Sequence, residues 1–233
     1  MSSKWMVIIA GPNGAGKSTF YEQILKEDPL FKKAAYLNLD NVAKEMAPEG
    51  EDPNKYMIEA GKVIISELEK KIKNKTSFIY ETTSSGRVHL KYMDKAKEKG
   101  FKIATIFIGL ANVELSHLRV QQRVANGGHN VPAKDIERRY PNVIQNFPDM
   151  LKKSDVSAVF DNSGKTPFKL IFLMDETKFF VFHNYPKWAE KSLKNRKTKK
   201  DMIHITNESF RKLPKEKISN MINCVFKQFS HER

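Results

Sequence analysis

Residues 11–18 read Gly-Pro-Asn-Gly-Ala-Gly-Lys-Ser, a match without mismatch to G-x-x-x-x-G-K-[ST]. The apolar run Lys4 to Ala10 precedes it, and Phe20, Ile24 and Leu25 recur at helical spacing after it, so the local order is strand, loop, helix. A polyphosphate needs several converging N–H donors. Glycines let a backbone curl around it without Cβ clashes, and the N-terminus of the following helix adds partial positive charge. On this reading Gly11, Pro12, Asn13, Gly14, Ala15, Gly16, Lys17, Ser18 and Thr19 hold the phosphates of ATP. Lys17 reaches the β- and γ-phosphates, and Ser18 ligates magnesium.

Such a loop is shared by switches, motors, transporters and kinases, so the rest of the chain must choose. The string GPNGAGKST also occurs in ABC-type transport ATPases, but those carry an LSGGQ-like signature in a helical insert, absent from these 233 residues. The strand and helix alternation continues instead. Strands are expected at 35–39, 77–80, 102–108 and 156–160, with helices at 56–72, 88–99, 113–124 and 134–144. Strands separated by helices of this length imply right-handed crossovers and an α/β fold of the P-loop NTPase/kinase type, a mostly parallel sheet with helices on both faces. Residues 168–174 and 178–182, flanking Asp175, Glu176 and Thr177, read as a C-terminal β-hairpin. Ile218, Met221, Ile222, Val225, Phe226 and Phe229 form the stripe of a final helix. The expected organisation is a kinase domain over 1–185, with a basic segment and helix over 186–233 packed on it.

Composition narrows the setting. One cysteine, Cys224, permits neither an internal disulfide nor a cysteine metal cluster, and His117 and His129 do not make a zinc site. No apolar run approaches the roughly 20 residues that span a bilayer, and the N-terminus lacks the features of a secretory signal. A cytoplasmic protein without membrane contact is expected. The formal net charge of +14 admits an anionic substrate or a nucleic acid. Seven Lys or Arg lie between 187 and 200. They read as a solvated face, with an RNA contact the competing reading.

Candidate chemistry gathers after the strands. Asp40, at the end of the second strand, is expected at the carboxyl-end crevice as the general base for an attacking hydroxyl. The alternative is that it caps the helix beginning near Asn41. Glu81 ends the third strand as a ligand of magnesium or of its water. Thr83, in the hydroxyl-rich turn Thr82 to Ser85, is a substrate contact, the alternative being a helix cap. Arg119 and Arg123 are one helical turn apart, and Arg138 and Arg139 follow the loop Gly127-Gly128-His129-Asn130-Val131-Pro132. Arginines flanking a glycine loop make a lid that brings guanidinium groups onto a transferring phosphate. Surface pairing with Glu114, Asp135 or Glu137 is the plainer reading of each arginine.

These residues resemble the zeta-toxin family of P-loop kinases in its compact form. The resemblance rests on GPNGAGKST at 11–19, N-x-D at 38–40, Ala60-Gly61, ETTSSG at 81–86, FIGL at 107–110, RVxxRVxxGGHxVP at 119–132, IxRRY at 136–140 and DNS at 161–163, and it covers about residues 4–185. It implies an ATP- and magnesium-dependent kinase in which Lys17, Asp40, Arg123 and Arg138 or Arg139 carry phosphoryl transfer. It further implies that Glu81 and Thr83 hold a sugar such as that of UDP-N-acetylglucosamine, and that an antitoxin protein is the partner. Three departures stand out. Leu39 replaces the proline of N-P-D, Lys62 replaces the arginine of A-G-R, and Asn142 follows Pro141 where the family has Pro-Arg. None touches the candidate base. Two other readings compete: a 5′-hydroxyl polynucleotide kinase, and an ATP-binding regulatory module whose basic tail docks on nucleic acid.

Overall fold

The computed structural model describes residues 4–28, 31–174, 178–181, 186–194 and 201–204. An eight-stranded sheet runs through it in the order β2-β3-β1-β4-β5-β6-β7-β8. The strands are β1 Lys4–Ala10, β2 Ala35–Asn38, β3 Phe78–Thr82, β4 Phe101–Gly109, β5 Val156–Asp161, β6 Lys169–Met174, β7 Lys178–Val181 and β8 Asp201–His204. The first five are parallel; β6 is antiparallel to β5, β7 antiparallel to β6, and β8 parallel to β7. The expected α/β P-loop kinase architecture and the hairpin strands are therefore present.

β1 is apolar at nearly every position because both faces of the sheet are covered. Alternate residues feed two cores. Met6 and Ile8 pack with Leu68 of α3 (Met57–Lys73), Met93 of α4 (Val88–Glu98) and Phe147 of α6 (Ala133–Lys153). Val7 and Ile9 point the other way, onto Phe20 of α1 (Lys17–Phe20), Ile106 and Phe160. α1 continues as a π-helical turn over Tyr21–Leu25. The register sets Asn38 beside Glu81, and Glu81 beside Ile9, so the carboxyl ends of β1, β2 and β3 finish together. The remaining helices of this half are α2 (Leu39–Met46), a 3₁₀ turn at Pro53–Tyr56, and α5 (Val113–Ala125).

Several boundaries differ from expectation. β2 ends at Asn38, so Asp40 stands in the first turn of α2 rather than at the strand's end. Asn38 is the cap: its Oδ1 accepts from Asn41 N at 3.1 Å, and the capping alternative for Asp40 is set aside. β3 runs one residue past Glu81. α6 does not stop near Ile144 but continues through Pro141 and Pro148 to Lys153. An interior proline costs a helix about 3 kcal/mol. Burying Val143, Phe147, Met150 and Leu151, each fully covered, returns about 1.5–3 kcal/mol apiece and outweighs it.

Part of the basic stretch folds as α7 (Lys187–Lys194), whose Trp188 and Ala189 are buried. The Trp188 ring lies 5.6 Å from Phe107 and 5.8 Å from Phe147. That part of the segment has an apolar side, which its charge conceals. Residues 195–200, Cys224 and the 218–229 stripe lie outside the described residues. Among the described residues no helix is long and apolar enough to cross a membrane.

Candidate active site

The phosphate loop is built on contacts that require its glycines. Gly11 has φ +146°, and a Cβ there would stand 2.0 Å from Ile108 O; Gly16 has φ +88°, with Asn162 Nδ2 at 3.0 Å from the site of its Cβ. The side chain of Asn162 donates to Ala15 O at 2.9 Å and accepts from Phe168 N at 3.1 Å, while Ser116 Oγ donates to Asn13 O. Lys17 is buried, and its Nζ donates to Pro12 O at 3.1 Å. Burial holds its ammonium below the usual lysine range, reinforced by Arg123 and Arg139 and opposed by the carboxylates of Glu81 and Asp40. Groups from the ends of β1 and β3 and from α2, α5 and α6 thus act on one amine.

Beside Lys17, Ser18 Oγ donates to Glu81 Oε1 at 3.1 Å. Tyr36 donates its hydroxyl to Glu81 Oε2 and accepts from Asn38 Nδ2 at 3.0 Å. The Tyr36 ring stacks on Tyr21, with centroids 3.6 Å apart and planes 7° from parallel. Burial, then the charge of Glu81, pushes the Tyr36 phenol well above its ordinary value, so it remains a donor at neutral pH. Asn38 therefore does two things at once. It caps the helix that carries Asp40, and it steadies the phenol that holds Glu81.

The turn after β3 is also braced. Thr83 Oγ1 and Ser85 Oγ are 3.2 Å apart, and Ser84 N donates to Thr82 Oγ1 at 3.0 Å. From α6, Asn146 Nδ2 reaches Ser84 O, Ser85 O and Gly86 O at 2.8, 3.3 and 3.0 Å.

The four arginines converge unequally. Arg138 and Arg139 both pair with Asp135, at 2.7 and 3.3 Å, which is the surface pairing named as the plainer reading. Arg119 is partly buried. Arg123 Nε and Nη2 are buried and have no hydrogen-bond partner among the described residues. Gly128 lets the loop fold back onto Arg123: its N donates to Arg123 O at 2.9 Å, and a Cβ there would stand 2.5 Å from Arg123 Cγ.

Around the phosphate loop opens one cleft of about 1390 Å³. Asn13, Gly14, Gly16, Lys17, Ser18, Thr19, Asp40, Glu81 and Thr83 line it, as do Arg119, Arg123, Arg138 and Arg139. Gly11, Pro12 and Ala15 lie buried behind it. His129 lines the cleft, and His117 pairs with Glu137 at 3.5 Å. Among the described residues no cluster of His, Cys, Asp and Glu could hold a metal by itself.

Sequence reasoning missed Tyr36, Ser116 and Asn146. Nothing in the local pattern marks the first two. Asn146 could have been found, because it interrupts the apolar spacing Val143, Phe147, Met150 with a buried amide. Asn162 stood within the DNS string without a role.

The chain matches the Zeta toxin family over residues 2–169. A Haemophilus influenzae protein of uncharacterised function is 31% identical over 134 residues, which is 58% of this chain and 91% of that protein. A chain of the AvrRxo1-ORF1:ORF2 complex crystallised with ATP superposes with a TM-score of 0.64 at 16% identity, over 83% of this chain but only 63% of its own length. A chain of the PezAT toxin-antitoxin system of Streptococcus pneumoniae gives 0.52 at 18% identity, over 69% of this chain and 68% of its own. One from the Pnkp1/Rnl/Hen1 RNA repair complex gives 0.50 at 20%, over 63% of this chain and 46% of its own. With the phosphate loop, the acidic and hydroxyl-bearing strand ends and the arginines on one cleft, and the family match spanning most of the chain, this protein is a member of the zeta toxin family.

Proposed function

We propose that this protein is an ATP-dependent kinase that phosphorylates a hydroxyl of a small polar molecule, a nucleotide sugar such as UDP-N-acetylglucosamine. The observation that carries the reading is Arg123: a guanidinium with buried, unpartnered Nε and Nη2, on the cleft that Lys17 and Asp40 also line. Buried guanidinium nitrogens without a partner are costly, and an anionic phosphate would complete them.

Within this reading the Asp40 carboxylate accepts the proton of the acceptor hydroxyl. The acceptor oxygen bonds to the γ-phosphorus as the bond to the bridging oxygen of ADP breaks. Lys17 and Arg123 neutralise charge on the transferring group, with Arg119, Arg138 and Arg139 lining the same cleft. For Arg138 and Arg139 to help, they must exchange Asp135 for phosphate. Thr83 and Glu81 lie on the acceptor side. Ser18 Oγ and Glu81 Oε1, 3.1 Å apart, are a hard oxygen pair suited to magnesium, which would neutralise phosphate charge there. The reading implies cytoplasmic action and, from the toxin-antitoxin setting of the PezAT structure, an antitoxin as partner.

The net charge of +14 favours a second acceptor, a 5′-hydroxyl oligonucleotide, in keeping with the neighbour from an RNA repair complex. The deciding experiment supplies γ-labelled ATP and magnesium with UDP-N-acetylglucosamine or the oligonucleotide, using Asp40→Asn as control. Label on the sugar nucleotide, reduced about 10²–10⁴-fold by Asp40→Asn, is expected. Label on the oligonucleotide moves the acceptor assignment, and ATP binding with no acceptor labelled, even from a whole-cell metabolite extract, sinks the kinase reading in favour of a nucleotide-binding regulatory module.

A further inference from the structure

The turn that links β3 to α4 bears Thr83 and Ser85, whose hydroxyls line the cleft. Left to itself it is a poor platform. Ser84 is held at φ +58°, a left-handed conformation that costs a non-glycine residue free energy, and its hydroxyl is buried without a hydrogen-bond partner among the described residues. Consecutive carbonyls at Ser84, Ser85 and Gly86 converge on one side, so their dipoles oppose one another unless a donor lies between them.

That donor comes from α6. Asn146 is buried, at 6% exposure, and its Nδ2 lies between 2.8 and 3.3 Å from all three carbonyl oxygens. The amide can face only one way: turned over, its own oxygen would meet three carbonyl oxygens. On its other side Oδ1 accepts from Arg87 Nη1 at 3.4 Å, and Arg87 Nη2 pairs with Asp149 at 3.2 Å. The backbone of α6 is anchored in turn by Phe147 against Phe107, with centroids 4.2 Å apart. Asn146 also lies seven residues beyond Arg139, two helical turns along one face, so the helix that carries Arg138 and Arg139 to the cleft also carries the clamp.

We propose that Asn146 is the positioning residue of the acceptor side, fixing the strained turn so that the Thr83 and Ser85 hydroxyls present one geometry to the substrate. It touches neither substrate nor nucleotide. Its role rests on the reading that this turn faces the phosphate acceptor, and it separates acceptor binding from ATP binding, because the phosphate loop is braced by other residues, Asn162 and Ser116. These hydrogen bonds are all within the protein, so the fold itself holds the turn in place.

The test compares the wild-type chain with Asn146→Asp, which keeps the shape and removes every donor, and with Asn146→Ser, which keeps one donor should the aspartate variant fail to fold. Amide hydrogen exchange is read on the peptide spanning 82–90 and on that spanning the phosphate loop. Affinity is measured for a fluorescent ATP analogue, and KM for UDP-N-acetylglucosamine. The expected result is faster exchange confined to 82–90, nucleotide affinity unchanged within about 2-fold, and an acceptor KM raised about 10- to 100-fold. Unchanged exchange in the turn overturns the proposal. So does exchange that rises equally across the sheet with a matching loss of ATP affinity, since that marks a general support of the fold. If the wild type labels no sugar nucleotide, the acceptor assignment above fails, and the exchange and nucleotide-affinity arms alone decide whether Asn146 is the clamp.

Discussion

The side-chain amide of Asn162, at the end of β5, donates to the backbone carbonyl of Ala15 at 2.9 Å and so fastens the middle of the phosphate loop to the sheet. The same side chain accepts from Phe168 N, and the Phe168 ring lies 3.3 Å from where a Cβ on Gly16 would be. One residue therefore holds the loop and the segment that closes over its far side.

Asn162→Ala leaves Ala15 O and Phe168 N without their partner. A stability loss of about 1–3 kcal/mol is expected in urea denaturation. ATP should bind about 10-fold more weakly while KM for the acceptor stays near wild type. Equal losses for both substrates would show that Asn162 supports the sheet and not the nucleotide loop.

Tyr36→Phe keeps the stack on Tyr21 and removes the hydroxyl that Glu81 accepts from. A hydrogen bond to a charged group contributes about 1.5–3 kcal/mol. The magnesium concentration for half-maximal activity should rise about 10-fold, and the thermal midpoint should fall by about 3–12 °C. Because the phenol is protonated well above its usual range, the wild-type pH profile should show no limb from Tyr36 below about pH 10. An unaltered magnesium dependence in the variant would separate Glu81 from the metal.

How much of this was legible beforehand follows from what each residue depends on. Lys17, Ser18 and the glycines were readable because a phosphate loop is local, its geometry set by adjacent residues. The parallel sheet was readable from apolar periodicity. Asp40 was read on the right cleft for a partly wrong reason. It was expected at a strand end, and Asn38, by capping α2, turns the chain two residues earlier. Tyr36 and Asn162 act on partners 45 and 147 residues away, which no local pattern encodes, and Asn146, visible as an amide in an apolar stripe, acts on carbonyls about 60 residues away that the stripe does not reveal. α6 runs past the expected end near Ile144 because the burial of Phe147, Met150 and Leu151 that carries it through Pro148 exists only once the sheet is assembled.

The arginines should separate by their present partners. Arg123 has two buried nitrogens without a hydrogen-bond partner among the described residues, whereas Arg138 is largely exposed and paired with Asp135 at 2.7 Å. Arg123→Ala should lower kcat by about 10²–10³-fold, the loss seen when a preorganised charge-stabilising group is removed. Arg138→Ala should cost under about 10-fold, since its gain on phosphate is set against the lost ion pair. A steady-state comparison of kcat decides it. The reverse order would mean that α6 swings onto the phosphate and that Arg123 only props the glycine loop.

Stability should fall in mild acid through His89. This histidine is 2% exposed, and its Nε2 has no hydrogen-bond partner among the described residues. Burial, with Arg87 adding repulsion, lowers its pKa to about 4 from 6.5. The fold therefore favours the neutral ring. Its contribution is intact above the unfolded value and is lost as pH drops from about 6.5 towards about 4, by on the order of 3 kcal/mol. Urea midpoints at pH 7 and pH 4.5 measure this directly. His89→Phe, which cannot be protonated, should lose distinctly less stability over that interval than the wild type. Parallel losses in the two proteins would assign the acid sensitivity to groups other than the buried imidazole.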